Sequence, residues 1–343
     1  MKRLPFSLLA LLALLILANY LLETRQQARR LETGILRPMT KAPTTAPQRL
    51  LVQLGPQTWT YVLRAGIWRY PGYFDAFAQA EGVDYVLESL LRAPGTVYGA
   101  GSADLTRLGL SPEQALKLNV EGEGGLPLAE VWIGQGIPGP GAPECYARPA
   151  GSDTIFHLHA NPRLALGRTA PPLLDNRVLP AALGRKPVAQ VEFSRPNYPL
   201  RSLRRIQTAP APPPLPGRPP QLPEYQWRAE WGGQDLVCGT ANAFAYVDFL
   251  DQLRWTALVD PHTPLALQGQ LRLRDEADSV DVLEVGPQDE RGQILLRHHG
   301  TGLVCTLDPG QAALLFPSRA ALLDTLPAAS PYRRPAPAGE GAF

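Results

Sequence analysis

A chain of 343 residues, 45% of them hydrophobic and 19% charged, is long enough for about two domains with cores of their own. Its formal net charge of +2 gives no electrostatic footing for nucleic acid, and three cysteines exclude both a disulfide-dense scaffold and a C-x-x-C site. Proline, at 37 residues, is more than twice its usual share, and together with 31 glycines it favours short strands and turns over long helices.

Leu4 to Leu22 carries no charge, follows Lys2 and Arg3, and as a helix would extend about 28 Å, close to a hydrocarbon core of ~30 Å. It is longer than a signal-peptide core, and Ala18-Asn19-Tyr20 is a poor cleavage context. Residues 4–22 therefore read as an uncleaved signal-anchor behind a short N-terminus at 1–3. Arg25, Arg29, Arg30 and Arg37 outnumber Lys2 and Arg3, which by charge alone favours a cytoplasmic body. Residues 23–48 lack periodicity, carry Pro38, Pro43 and Pro47, and read as a tether.

From Arg49 the pattern is one of short strands. Residues 49–55 and 58–71 alternate apolar and polar side chains, with Ala65-Gly66 as a hairpin tip. Val83, Val86, Leu87, Leu90 and Leu91 fall at helical spacing, and Pro94-Gly95 stops that helix. Four strands follow at 115–120, 126–134, 144–149 and 153–159, before Leu173-Leu174-Asp175. The pattern then restarts at Pro187, with strands at 187–193 and 198–206, a proline-rich insertion at 209–223, and Glu224–Trp231 resuming the hairpin. A helix carries Tyr246, Phe249, Leu250 and Leu253, and four strands recur at 270–275, 280–286, 293–300 and 302–307.

In one ungapped register Arg148 meets Arg297, Gly151 meets Gly300, and Leu173-Leu174-Asp175 meets Leu322-Leu323-Asp324; Ile133-Gly134 similarly meets Val285-Gly286. The expectation is an α+β fold: a transmembrane helix, then two tandem β-rich repeats at 49–175 and 187–326. A connector at 176–186 joins them, and a polar, proline-rich tail at 327–343 stays unfolded.

A single N-terminal anchor, Trp68-Arg69-Tyr70-Pro71 and Trp227–Trp231 before an amphipathic helix, Arg107–Pro112 after it, Val131–Gly134, Tyr146–Pro149 and Leu173–Val178 appear in a telling order. That order resembles the family catalogued as domain of unknown function 4340. The resemblance implies a membrane-anchored, non-catalytic accessory subunit of an ABC-type export system, such as those named for gliding motility. It implies as partners an inner-membrane ABC permease and ATPase and a larger extracytoplasmic protein. It also implies a single-pass inner-membrane protein with a periplasmic body, against the charge count. The insertion at 209–223 departs from the family pattern.

No catalytic, cofactor or metal constellation is legible. His157 and His159 share a strand face, and His298 and His299 lie in the second copy. The repeat partners of His157 and His159 are Thr306 and Asp308, and no third ligand has the spacing zinc requires. Gly134–Gly141 lacks the Lys-Ser/Thr ending of a phosphate loop. Cys238 and Cys305 can pair only if their strands are neighbours; buried free thiols are the plainer reading. The candidates for interaction are Trp68, Tyr70, Tyr73, Trp227 and Trp231, most of which read as core or cross-strand pairs with a few left to line a cleft, together with Pro212, Pro213 and Pro214 in an expected polyproline II insertion. The alternative function is an envelope glycan- or peptide-binding module using the cleft between the two lobes.

Overall fold

Strand alternation decides which residues become core. The computed structural model describes residues 36–38, 45–100, 104–139, 143–167, 171–209 and 224–323. In the first copy the elements are β1 (Leu36–Pro38), β2 (Arg49–Leu54), β3 (Gln57–Arg64), β4 (Ile67–Tyr70), β5 (Ala76–Phe77), α1 (Ala80–Leu91), β6 (Pro94–Ala100), β7 (Leu116–Glu121), β8 (Pro127–Ile137), β9 (Glu144–Pro149) and β10 (Thr154–Leu158). In the second they are β11 (Val188–Ser194), β12 (Leu200–Ala209), β13 (Glu224–Trp231), β14 (Gln234–Val237), α2 (Thr240–Asp251), β15 (Ala257–Val259), β16 (Gly269–Asp275), β17 (Val280–Gln288), β18 (Ile294–His298) and β19 (Val304–Leu307). Two short helices, α3 (Pro309–Leu314) and α4 (Arg319–Leu323), complete it.

The first sheet runs β1-β6-β10-β9-β8-β7-β2-β3-β4-β5 and the second β15-β19-β18-β17-β16-β11-β12-β13-β14. Taken strand by strand, the second order repeats the first from β6 onward, and only β1 has no counterpart. The described residues divide into two compact units, one up to residue 72 with 78–174, the other 73–77 with those from 175 onward.

In the first unit Leu50, Val52, Leu116, Leu118, Val120, Val131 and Ile133 occupy one strand phase and form the core with Val83, Val86 and Leu90 of α1. Each such side chain contributes about 1.5–3 kcal/mol by leaving water. In the second unit α2 buries Ala243, Tyr246, Val247 and Leu250 at the same helical spacing. Both helices lack a side-chain cap and are entered in the same way. The N–H of Gln79 donates to the Leu173 carbonyl at 2.8 Å, and the N–H of Gly239 donates to the Leu322 carbonyl at 3.0 Å. The recurring Leu-Leu-Asp segment thus satisfies an otherwise orphaned backbone donor at each helix start.

Two-residue turns with positive φ at both positions close one hairpin in each copy. Ala65 (φ 49°) and Gly66 (φ 80°) join β3 to β4, and Gly232 (φ 58°) and Gly233 (φ 81°) join β13 to β14. Positive φ at both positions matches the right-handed strand twist. Ala209 pairs with Glu224, so the insertion departs from the tip of the β12–β13 hairpin. Residues 210–223, including Pro212, Pro213 and Pro214, lie outside the described residues, as does the tail at 327–343.

Three expectations are corrected. The fold is mostly β rather than α+β, because each copy has one helix of twelve residues against nine or ten strands. No helix of the described residues is long and apolar enough to cross a membrane. Residues 4–22, on which the transmembrane signal-anchor rested, lie outside the described residues. The anchor is set aside, and the single-pass inner-membrane placement with a periplasmic body goes with it. The connector at 176–186 is itself hydrogen-bonded. Val178 donates to Leu253 O at 2.8 Å, Trp255 donates to Asn176 O at 2.8 Å, and Lys186 N donates to Asp275 Oδ2 at 3.1 Å, which ties it into the second unit.

Candidate functional site

On β7, β8 and β9 the phase opposite the core carries Lys117 and Asn119, Glu130 and Trp132, and Tyr146 and Arg148. Register places Lys117 opposite Trp132, and Trp132 opposite Arg148. The Lys117 Nζ is 4.8 Å from the Trp132 ring centroid and the Arg148 Cζ is 4.7 Å from it. Both distances suit attraction of a cation to the electron-rich ring face. Farther across the sheet, His157 stands opposite Tyr146 with rings 5.0 Å apart and stacks on Tyr98 at 4.8 Å; Tyr98 and Tyr146 meet edge-on at 5.1 Å.

The segment after β6 covers one side of this face. Leu105, Leu108 and Leu110 pack with Ile155, Trp132 and Tyr146 into a small second core. Gln135 fastens the segment, its N–H donating to Leu108 O at 2.9 Å and its Nε2 to Arg107 O at 2.7 Å. Arg163 fixes the strand beneath it by donating to the carbonyls of Gly134 (2.6 Å), Gln114 (2.8 Å) and Ile133 (2.9 Å).

Among the described residues neither Lys117 nor Arg148 has a carboxylate at ion-pair distance. Burial pushes the His157 imidazole below its ordinary value, with Glu144 opposing and His159 adding to the fall, so the ring is neutral near pH 7. Burial likewise raises the Tyr146 phenol, assisted by Tyr98 and opposed by Arg107. Trp132 Nε1, His157 Nε2 and Asn119 Oδ1 are buried with no hydrogen-bond partner among the described residues. Buried polar atoms are seldom left so, and all three belong to this one face.

The second copy shows what the same positions do as plain scaffold. Register makes Gln270, Glu284 and Arg297 the counterparts of Lys117, Trp132 and Arg148, and Leu295 and Thr306 those of Tyr146 and His157. There Arg297 pairs with Glu284 at 3.4 Å and donates to Thr263 O at 2.8 Å. One row is neutral and internally paired. The other carries two cations around an indole.

The aromatics named as interaction candidates pack within the fold as follows. Trp227 is fully buried and Trp68 nearly so, both within the cores. Tyr70 leans on Tyr61 at 5.4 Å, and Trp231 meets Tyr198 edge-on at 6.0 Å. Tyr73, in the second unit, accepts the Leu258 N–H at 3.0 Å and so covers a backbone donor of edge strand β15. Of the residues that do gather, Lys117, Trp132, Arg148, Tyr98 and Tyr146, only Trp132 carries a signal in the sequence. Matching Ile133 to Val285 and Arg148 to Arg297 sets Trp132 in the place of a carboxylate.

Other constellations are structural. His298 is fully buried; its Nε2 meets Asp281 Oδ1 at 2.9 Å and its Nδ1 meets Thr301 Oγ1 at 2.9 Å. The hydroxyl also accepts the Leu303 N–H at 3.3 Å, so it closes a turn rather than facing a substrate. His159 Nδ1 meets Glu144 Oε1 at 2.9 Å, and no group of three metal-ligating side chains occurs among the described residues. A cavity of about 350 Å³ in the second unit is lined by Arg195, Gln268, Gln288, Ile294 and Phe316, with no acid, thiol or hydroxyl among its lining residues.

The cysteines are all buried and free. Burial pushes the Cys145 and Cys305 thiols up to about 12 and Cys238 to about 11. Native protein treated with iodoacetamide at pH 8 should therefore stay unmodified, with Cys238 reacting first on prolonged exposure, and denatured protein should take up three labels. A mass showing fewer than three labels without reductant would contradict this.

No family model matches the chain, and no curated protein or solved structure was found similar to it.

Proposed function

We propose that this chain is a non-catalytic interaction subunit, accessory to an ABC-type transport assembly, that engages a partner through the outer face of its first unit. The observation that carries the reading is the divergence of the two copies at one place. The second copy holds an internally neutralised Glu284–Arg297 pair, whereas the first presents Lys117 and Arg148 around Trp132, with Glu130 on the same face but, among the described residues, no carboxylate at ion-pair distance from either cation. Arg and Trp, the residue types of Arg148 and Trp132, are those most enriched among the residues that dominate protein interfaces. The sequence has no nucleotide-binding motif, so energy coupling belongs to a partner. The ABC permease, its ATPase and a larger associated protein are the partners implied by the family resemblance.

Affinity capture of tagged protein from cells after mild detergent extraction tests this. Recovery of a permease or ATPase component with wild-type protein is expected, and recovery of the chain alone in repeated captures would count against it.

A further inference from the structure

We infer that the ligand of the Lys117–Trp132–Arg148 row is an extended, acidic polypeptide segment carrying carboxylates at alternate positions. The inference rests on the partner-binding reading and specifies its chemistry. Lys117 and Arg148 each lie within 5 Å of the same ring centroid, so no more than roughly 10 Å separates their charges. An extended chain rises about 3.3 Å per residue, so side chains at i and i+2 point the same way about 7 Å apart. Two carboxylates at that spacing reach both cations while the residue between them lies over the indole.

The surface is a sheet face rather than an enclosed cavity, and it continues from the row to Tyr146, His157 and Tyr98 on the next strands. Five strands, β7 through β6, span roughly 20 Å, the length of about six extended residues. His157 is neutral there, so this far end adds aromatic area rather than charge. The charged end and the aromatic end together fit a segment whose acidic stretch leads into apolar or aromatic residues. A polyphosphate strand is the poorer fit, because two cations on a chain of net charge +2 give little of the field that nucleic acid needs.

The experiment is fluorescence anisotropy with the full chain and labelled octapeptides of alternating Glu and Ala, or Gln and Ala, at low salt. Binding of the Glu peptide is expected to weaken at least tenfold on passing to the Gln peptide. Lys117→Gln and Arg148→Gln should each weaken it about fivefold to tenfold, and Arg297→Gln by less than twofold. Circular dichroism confirms that each variant is folded. Equal affinity for the two peptides, no binding of either at millimolar concentration, equal loss in R148Q and R297Q, or tighter binding of a dT12 oligonucleotide would each overturn the inference. If the peptide fails while R148Q still abolishes capture of the transport partners, the interaction face stands and only the acidic ligand class falls.

Discussion

Gly134→Ala is expected to lower the free energy of unfolding by about 3 kcal/mol, a large effect for one methyl group. A Cβ at that position would lie 2.2 Å from the carbonyl oxygen of Leu108, 3.1 Å from Leu110 Cγ and 3.2 Å from Tyr146 Cβ. The first neighbour is backbone, and it is held in place by the Gln135 N–H, so it cannot rotate away. Relief requires lifting the whole Leu105–Leu110 segment and the small core beneath it. The repeat supplies an internal control. A Cβ at Gly286 meets Leu265 Cδ1 at 2.8 Å, a side-chain end that can move, and Leu295 O only at 3.2 Å. Gly286→Ala should therefore cost about 1 kcal/mol, and urea unfolding that finds the two variants equal would contradict the close approach.

The second large effect lies in the other unit. Arg185 Nε meets Asp281 Oδ2 at 2.8 Å, and its Nη2 meets Asp251 Oδ1 at 2.9 Å. Asp281 also faces the buried His298. Arg185→Ala leaves two carboxylates in a partly buried setting with a single imidazole, and should cost about 2–3 kcal/mol at pH 7. This lies below the full buried-pair figure because Asp251 is 37% exposed.

The pH dependence identifies the cause. Burial pushes the Asp281 carboxyl up, but the His298 hydrogen bond and the Arg185 charge more than offset it, and the folded value lies below the ordinary one. A carboxyl depressed on folding stabilises above its unfolded pKa of ~3.9, and that contribution is lost as pH falls through the folded value. Asp251 behaves in the opposite sense. Burial raises it, with Arg185 opposing and Asp248 and Asp281 adding to the rise, so removing Arg185 raises it further. Ionising such a group costs stability as pH rises. The deficit of R185A should accordingly be largest near pH 7 and shrink towards pH 4. A deficit constant across that range would point to lost packing instead.

Much of this architecture is legible in the residues. Strand phase selects Leu50, Val52, Leu118 and Val131 for the core, Ala65-Gly66 marks a hairpin, and Leu-Leu-Asp recurs where each helix is entered. Edge strands are less so. Ala257–Val259 is too short to carry a period, and Pro94–Ala100 begins on residues that read as a helix stop; pairing with β19 and β10 makes them strands. The aromatic set follows the reading of core and cross-strand pairs for most of its members, and strand phase puts Trp68 and Trp227 inside. By the same rule Trp132 falls between Val131 and Ile133, on the side away from the core. Strand register makes Glu284 its counterpart in the second copy.

The claim that one copy's face binds while its counterpart only supports the fold is tested most directly by measuring two properties of a matched pair, Arg148→Gln and Arg297→Gln. Urea unfolding and partner capture should separate them. R148Q is expected to keep wild-type stability to within about 0.5 kcal/mol and lose the partner. R297Q, which breaks the Glu284 pair and the bond to Thr263, should lose about 1 kcal/mol and keep the partner. The opposite pattern, with R148Q destabilised and still able to capture while R297Q stays stable and fails, would contradict the account.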